Sequence, residues 1–263
     1  MTSSVMVQIM LKKNQTQQNQ SETHFGFRNV STSEKSLLVR NVFDSVAQNY
    51  DLMNDVMSLG IHRLWKNTLI NKLNIKQNTR LLDVGGGTGD IAFKIVEKDN
   101  LDIVVTDINT EMLEVGRNRA IDQGIIKGIK WLGGDAEQLP FKNSSFDIYT
   151  TAFCMRNVTH LDRALREAFR ILKPGGRFLC LEFSHMIIPS LTKLYDSYSF
   201  KLLPLMGQIF ANDRASYQYL AESIRRFPKQ EDFVALINNS GLEKTTYQNL
   251  SCGIVAIHSA WKI

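Results

Sequence analysis

Leu81-Leu82-Asp83-Val84-Gly85-Gly86-Gly87-Thr88-Gly89-Asp90, with Asp107 closing the next apolar run, sets the architecture of this chain. Apolar Leu81 and Leu82 end a buried parallel strand. The chain then turns sharply on glycines and enters a helix. Gly85 and Gly87 lack a Cβ, so the turn is allowed and a ligand can approach the backbone. Asp107 ends the second strand, where a carboxylate can hold a ribose diol. Together the two features describe an adenosine-type cofactor site.

The glycine pattern narrows the cofactor. A dinucleotide fingerprint needs G-x-G-x-x-G. Here Gly85-x-Gly87 is followed by Thr88, Gly89 and Asp90, so the third glycine fails. Carboxylates flank the loop at Asp83 and Asp90. They oppose a pyrophosphate and tolerate a cationic ligand with an amino-acid end. S-adenosylmethionine, with its sulfonium and ammonium, fits that charge. The competing reading is a glycine-rich strand-to-helix turn that holds no ligand.

Working outward, strand and helix patterns alternate. Strands are predicted at 80–84, 102–106, 129–133, 146–151 and 177–182, with helices at 89–97, 110–122 and 160–172. Such alternation predicts an α/β fold, a doubly wound, mostly parallel sheet. Lys173-Pro174-Gly175-Gly176 punctuates the last helix-to-strand step. Two further strand-like runs, 242–247 and 253–261, predict an antiparallel pair at the sheet edge, seven strands in all. Upstream, Val39, Val42, Phe43, Val46, Tyr50 and Met53 recur at helical steps. They predict an N-terminal helical cap over 36–75 within a domain of residues 36–263. Residues 186–226 predict an apolar, aromatic helical insertion before the last two strands. Residues 1–35 are polar and predict a flexible segment. That segment has no acid before Glu22, which suits a transit peptide, but the same stretch lacks arginine, which does not.

Several residues near the strand ends can carry chemistry. Asp135, after the third strand, either accepts from an adenine amino group or caps a short turn. Asp147 reads as a structural turn residue. Arg156 and Asn157 follow the fourth strand, where ligands of open parallel sheets bind. Arg156 is a fixed cation with five donors, and Asn157 can donate and accept. They are the candidate catalytic residues, organising an oxygen-bearing substrate. The alternative for Arg156 is pairing with a local carboxylate.

Composition excludes some classes. The chain has 263 residues, 43% hydrophobic and 22% charged, which is ordinary for a globular domain. A net charge of +5 suits an anionic membrane surface and is too weak and scattered to argue nucleic acid. Cys154, Cys180 and Cys252 have no metal-binding spacing, so no metal is predicted. Leu191 to Phe210 is interrupted by Lys193, Asp196, Lys201 and Pro204, which argues against a transmembrane helix.

Tyr50-Asp51-Leu52-Met53-Asn54-Asp55-Val56-Met57-Ser58-Leu59-Gly60-Ile61-His62-Arg63-Leu64-Trp65 and Arg170-Ile171-Leu172-Lys173-Pro174-Gly175-Gly176-Arg177-Phe178-Leu179-Cys180-Leu181-Glu182-Phe183-Ser184 resemble two signatures of the ubiquinone/menaquinone-biosynthesis C-methyltransferases, the UbiE type. Ile171 stands where valine is usual. Arg156-Asn157-Val158 and the segment from Asn212-Asp213 to Pro228 are also similar. Thr23-His24-Phe25-Gly26-Phe27 resembles the start of the mitochondrial branch. The resemblance covers about residues 23–263.

It implies a class I S-adenosylmethionine-dependent methyltransferase. The implied reaction methylates a ring carbon of a 2-polyprenyl-6-methoxy-1,4-benzoquinol in ubiquinone biosynthesis. Thr88, Asp107, Asp135 and Ala136 match the family's cofactor contacts, beside Asp83, Gly85 and Gly87 from the loop reading. Arg156 favours the ionised ring oxygen, and water held by Arg156, Asn157 and a nearby carboxylate takes the proton. Tyr50 and His62 either reach the ring from the cap or serve as a core tyrosine and a helix-capping histidine. The apolar insertion holds the isoprenoid tail or meets the membrane; its alternatives are ordinary core and a homodimer interface. The implied location is the matrix side of the mitochondrial inner membrane, peripheral, in a complex with other ubiquinone-biosynthesis proteins. Demethylmenaquinol as substrate and a non-catalytic scaffold role are the competing functions.

Overall fold

Seven strands form the central sheet of the computed structural model, which describes residues 22–46, 53–55, 58–96, 101–211 and 213–263. A small hairpin comes first, β1 (Glu22–Phe25) and β2 (Arg28–Ser31), then helices α1 (Thr32–Val46) and α2 (His62–Lys72). The alternating core follows: β3 (Arg80–Val84), α3 (Asp90–Ile95), β4 (Asp102–Asp107), α4 (Thr110–Asp122), β5 (Ile129–Gly133), β6 (Phe146–Ala152), α5 (Leu161–Ile171) and β7 (Leu172–Phe183). The insertion is α6 (Pro189–Ser197), a π-helical turn (Tyr198–Leu202), α7 (Leu203–Ala211) and α8 (Arg214–Arg226). The chain closes with α9 (Gln230–Asn239), β8 (Glu243–Leu250) and β9 (Val255–Trp261).

The sheet order is β5-β4-β3-β6-β7-β9-β8. The first five strands pair in parallel, and β9 pairs antiparallel with both β7 and β8. The doubly wound, seven-stranded sheet predicted from the sequence is therefore present, with its antiparallel pair at the edge. Strand order reverses between β4, β3 and β6, which opens a crevice at their carboxyl ends.

Neighbouring strand residues point to opposite faces, and both faces are covered. Leu81, Ile103, Val105, Ile148 and Leu179 pack with Trp65 and Leu69 of α2 and Ile91 and Ile95 of α3. Leu82, Val104, Tyr149, Phe178 and Cys180 pack with Ala164, Leu165 and Ala168 of α5 and Phe233 and Ile237 of α9. This two-sided burial is why the strands read as continuous apolar runs.

Three local features differ from the sequence reading. Residues 22–35, assigned above to a flexible segment, form the hairpin and the start of α1. Their order comes from tertiary contacts: Phe25 stacks on Tyr219 with ring centroids 4.0 Å apart, and Val30 is buried. An isolated hairpin is marginal, so this packing holds it. Residues 230–239, given no element above, form α9, whose Phe233 and Ile237 share one face. Finally, β7 begins at Leu172, and Lys173 to Gly176 bulge out where the register against β6 shifts. Among the described residues no helix is long and apolar enough to cross a membrane.

Candidate active site

The loop after β3 is held by backbone contacts to β4. The Gly85 and Gly86 amides both donate to Thr106 O, at 2.8 and 3.2 Å. Gly87 N donates to Asp107 Oδ2 at 3.0 Å, and Asn109 N donates to Asp107 Oδ1 at 2.8 Å. Gly85 has φ +63°, and a Cβ there would sit 2.2 Å from Cys154 Sγ, so no side chain fits. Asn109 caps α4 by accepting from Met112 N at 3.0 Å.

Two carboxylates stand at the strand ends. Burial pushes Asp107 up to about 6, against the amides of Asn109, Gly87 and Ile108 that favour its charge. Asp83 is 1% exposed, and neither carboxylate oxygen has a hydrogen-bond partner. Burial pushes it up to about 8, with Lys66 opposing and Asp107 and Asp90 reinforcing the shift. Thr88 is buried and its hydroxyl is also unpartnered.

A cleft opens over these strand ends. Gly85, Gly87, Asp107, Asp135, Ala136 and Asn157 line it. Ser36, Val39 and Phe43 of α1 line it from the cap. Two polar contacts tie α1 down: Lys35 Nζ donates to Val158 O at 2.8 Å, and Asn109 Nδ2 donates to Asp44 Oδ1 at 2.6 Å. Asp135 lines the cleft and also turns its own loop, accepting from Glu137 N at 2.8 Å. Glu137 joins that loop to the one after β6, accepting from Thr159 N and His160 N at 2.9 and 2.8 Å. Asp147 lies elsewhere, accepting from Arg80 N at 2.9 Å and Lys173 Nζ at 2.8 Å.

The segment after β6 separates its two candidates. Asn157 lines the cleft, and its Oδ1 accepts from the Tyr219 hydroxyl at 3.0 Å. Arg156 is buried, and its Nη1 donates to Phe153 O and to Glu182 Oε1, the latter at 2.8 Å. Glu182, 1% exposed, also accepts from the Arg156 and Phe183 amides. The expectation that Arg156 faces a substrate thus gives way to the other reading, pairing with a local carboxylate. The physical reason is that buried Glu182 needs a cation. Phe153, in the same turn, holds φ +59°, a strained value for an aromatic residue.

His62 is not brought to the cleft. Its Nε2 lies 2.8 Å from Asp55 Oδ1 at the start of α2, and burial lowers its pKa. The reading that it reaches a ring is corrected accordingly. Tyr50 lies outside the described residues. The sequence reading missed Lys66, Glu182, Tyr219 and the α1 residues over the cleft. Glu182 had a signal, a lone acid within the apolar run Phe178 to Phe183. Lys66 had none, being one lysine among many. No group of His, Cys, Asp or Glu among the described residues could hold a metal ion.

Residues 28–262 match the ubiE/COQ5 methyltransferase family. The 2-methoxy-6-polyprenyl-1,4-benzoquinol methylase, mitochondrial, of Homo sapiens is 51% identical over 278 residues, covering 92% of this chain and 85% of that protein. The protein of the same name from Mus musculus is 50% identical with the same coverage. Among solved structures, a SAM-dependent methyltransferase of Thermotoga maritima, a possible histamine N-methyltransferase, superposes with a TM-score of 0.62 at 20% identity, covering 86% of this chain and 100% of that one. The fold is thus that of the class I methyltransferases, and this chain belongs to the ubiE/COQ5 methyltransferase family.

Proposed function

We propose that this methyltransferase uses S-adenosylmethionine to methylate a ring carbon of a 2-polyprenyl-6-methoxy-1,4-benzoquinol in ubiquinone biosynthesis. The carrying observation is that one cleft gathers Asp107, Asp135 and Asn157 beneath α1. The residues fit the cofactor. Asp107 and Asp135 suit ribose and adenine, Ala136 lies beside them, and the unpartnered Asp83 suits an ammonium. When bound, the cofactor supplies an electrophilic methyl group on its sulfonium.

The remaining work falls to the chain. Val39, Phe43 and Phe153 give the cleft apolar walls that exclude water. Asn157 orients a ring oxygen, and the Tyr219 hydroxyl fixes the amide that does so. A phenol ionises near pH 10 in water, so deprotonation needs help at neutral pH. Water held at Asn157 at the cleft mouth would relay the ring hydroxyl proton to bulk solvent. Once the ring carbon carries the methyl, its own hydrogen would move to the ring oxygen and restore aromaticity. The Arg156–Glu182 pair behind Asn157 holds the turn that presents it. Arg156 is a positioning residue in this scheme. Alignment and a preorganised, dry field supply most of the acceleration.

The polyprenyl tail keeps the substrate in a membrane, since each buried CH₂ contributes about 0.8 kcal/mol. Exposed Ile187, Leu191, Leu202, Leu205 and Ile209 on the insertion, with exposed Lys193 and Lys201, support contact with an anionic leaflet. The names of the relatives support a mitochondrial location, within which this reading puts the enzyme at the matrix face of the inner membrane.

The test is transfer of labelled methyl from S-adenosylmethionine to a short-tailed, reduced demethylated methoxy-benzoquinol. Label on ring carbon supports the reading. Cofactor binding without label on this ring, while a demethylated naphthoquinol becomes labelled, replaces the substrate.

A further inference from the structure

Thr23-His24-Phe25-Gly26-Phe27 lies in the N-terminal hairpin, outside the cleft, yet it is clasped to α8 behind the site. Phe25 pairs with Arg28, which leaves Gly26-Phe27 as a two-residue loop. Glycine is favoured first in such a loop, and Gly26 holds φ +56°. Its missing side chain also lets α8 come close, since a Cβ there would lie 2.2 Å from Glu222 Oε2. The Phe27 amide donates to that same oxygen at 3.0 Å. Phe25 lies flat on Tyr219, with ring centroids 4.0 Å apart and planes 9° from parallel.

The clasp continues into the site. Tyr219 is buried, and its hydroxyl donates to Asn157 Oδ1 at 3.0 Å. A second contact reaches the same turn from the start of α1. Lys35, 2% exposed, donates from Nζ to the carbonyl of Val158, the neighbour of Asn157, at 2.8 Å. Burying an ammonium is costly unless it is hydrogen-bonded, so this contact fixes where both groups sit. One short segment thus holds Asn157 twice: by its amide, through Phe25 and Tyr219, and by its backbone, through Lys35. A hairpin that only covered α8 would gain from Phe25 alone. Burying Lys35 against the Asn157 turn adds nothing to that cover.

We infer that residues 22–35 form a clamp that positions Asn157 for methyl transfer, with Phe25 and Lys35 as its two contacts. The inference rests on the reading of Asn157 as the group that orients a ring oxygen, and deepens it. Phe25 and Lys35 are positioning residues, because each acts through a neighbour of the cleft. With Oδ1 taken by the Tyr219 hydroxyl, the orientation of the amide is set and Nδ2 carries its donors. An amide held this way needs no reordering in each turnover.

The experiment is a kinetic mutant cycle on the full chain, using whichever ring, benzoquinol or naphthoquinol, the wild-type protein methylates. Phe25→Ala and Lys35→Met should each lower kcat roughly 10-fold while affinity for S-adenosylhomocysteine holds within about threefold, the pattern of a misplaced orienting group. Phe25→Leu keeps apolar bulk and should recover part of the loss. In an Asn157→Ala background each change should alter kcat by less than about twofold, because the group they position is gone. Equal falls in both backgrounds would overturn the inference, since a structural segment acts whether or not Asn157 is present. Unchanged kcat in both single variants would overturn it as well. The Asn157 side-chain amide resonances of the ¹⁵N-labelled protein read the clamp without turnover. Phe25→Leu should shift them in the same direction as Tyr219→Phe, and unmoved resonances would sink the clamp. If wild-type protein labels neither ring, the proposed substrate falls, and the resonances still decide the inference.

Discussion

Asp107 Oδ2 accepts from the Gly87 amide at 3.0 Å, so the carboxylate proposed to hold the ribose also holds the glycine loop in shape. Asp107→Ala should lower affinity for S-adenosylhomocysteine by at least about 100-fold, from the loss of charged hydrogen bonds. Asp107→Asn keeps an oxygen for one amide and should lose less. Calorimetric titration of the two variants checks the order. Equal affinities for Asn and Ala would show that the carboxylate charge, and not loop shape, carries the effect.

If the unpartnered Asp83 receives the cofactor's ammonium, as proposed, cofactor binding should release a proton. Burial holds its carboxyl at about 8, so it is protonated in the free protein at pH 7. A ligand ammonium favours the ionised form, and the proton leaves. Calorimetry in buffers of different ionisation enthalpy should show proton release at pH 7, and Asp83→Asn should abolish it. The same shift has a sign for stability. The folded value lies above the unfolded value of about 3.9, so stability falls as pH rises from about 4 to about 8. Asp83→Asn should therefore raise the melting temperature at pH 8 and leave it nearly unchanged at pH 4.

Arg156 and Glu182 should behave as a pair. Removing one partner leaves a buried charge and costs about 3–5 kcal/mol, whereas removing both costs less. Arg156→Met and Glu182→Gln should each lower the melting temperature strongly, and the double variant should recover much of it. Turnover should stay low in the double variant, because the turn that presents Asn157 is lost. Full turnover there would remove Arg156 from the mechanism.

Asn157→Ala should separate binding from chemistry. Its side chain lines the cleft without building the glycine loop. Cofactor affinity should hold within about threefold while kcat falls roughly 10²- to 10³-fold, the scale for a lost orienting donor. Steady-state kinetics with titrated cofactor reads both. Tyr219→Phe should give a smaller fall of the same kind, since it removes only the hydroxyl that fixes the amide.

Acid should act through His258, which is buried and lowered to about 4 by that burial. Its folded value lies below the unfolded 6.5, so its contribution is complete above pH 6.5 and is lost as pH falls toward 4. His258→Phe should flatten the melting temperature between pH 6.5 and 4. An unchanged slope would assign acid sensitivity to other groups.

The sheet was legible because its signals are local. Apolar runs such as Leu81-Leu82 and Ile103-Val104-Val105 face packed helices on both sides, and glycine and proline mark their ends. The cleft's acids Asp107 and Asp135 were legible for the same reason, as one ends a strand and the other follows the next strand two residues on. The N-terminal hairpin was not, because its polar strands gain order from Phe25 meeting Tyr219, a contact that spans most of the chain. Arg156 shows the same limit. Its type and position mark a site, but its direction is set by Glu182, 26 residues on. Lys66 is harder still: only the fold reveals that it faces Asp83 and Asp90.

The last of the sheet's strands in chain order lies inside it. β9 separates β7 from β8, so until residues 255–261 are synthesised β7 presents an open, apolar edge. Open edges recruit other strands, and partly made chains are the most exposed to that hazard. The chain therefore carries an aggregation-prone seam until β9 emerges and closes it. Truncation before Val255 should yield insoluble chains that depend on holdase chaperones, and a soluble monomeric truncate would show that β8 or the insertion covers β7 first.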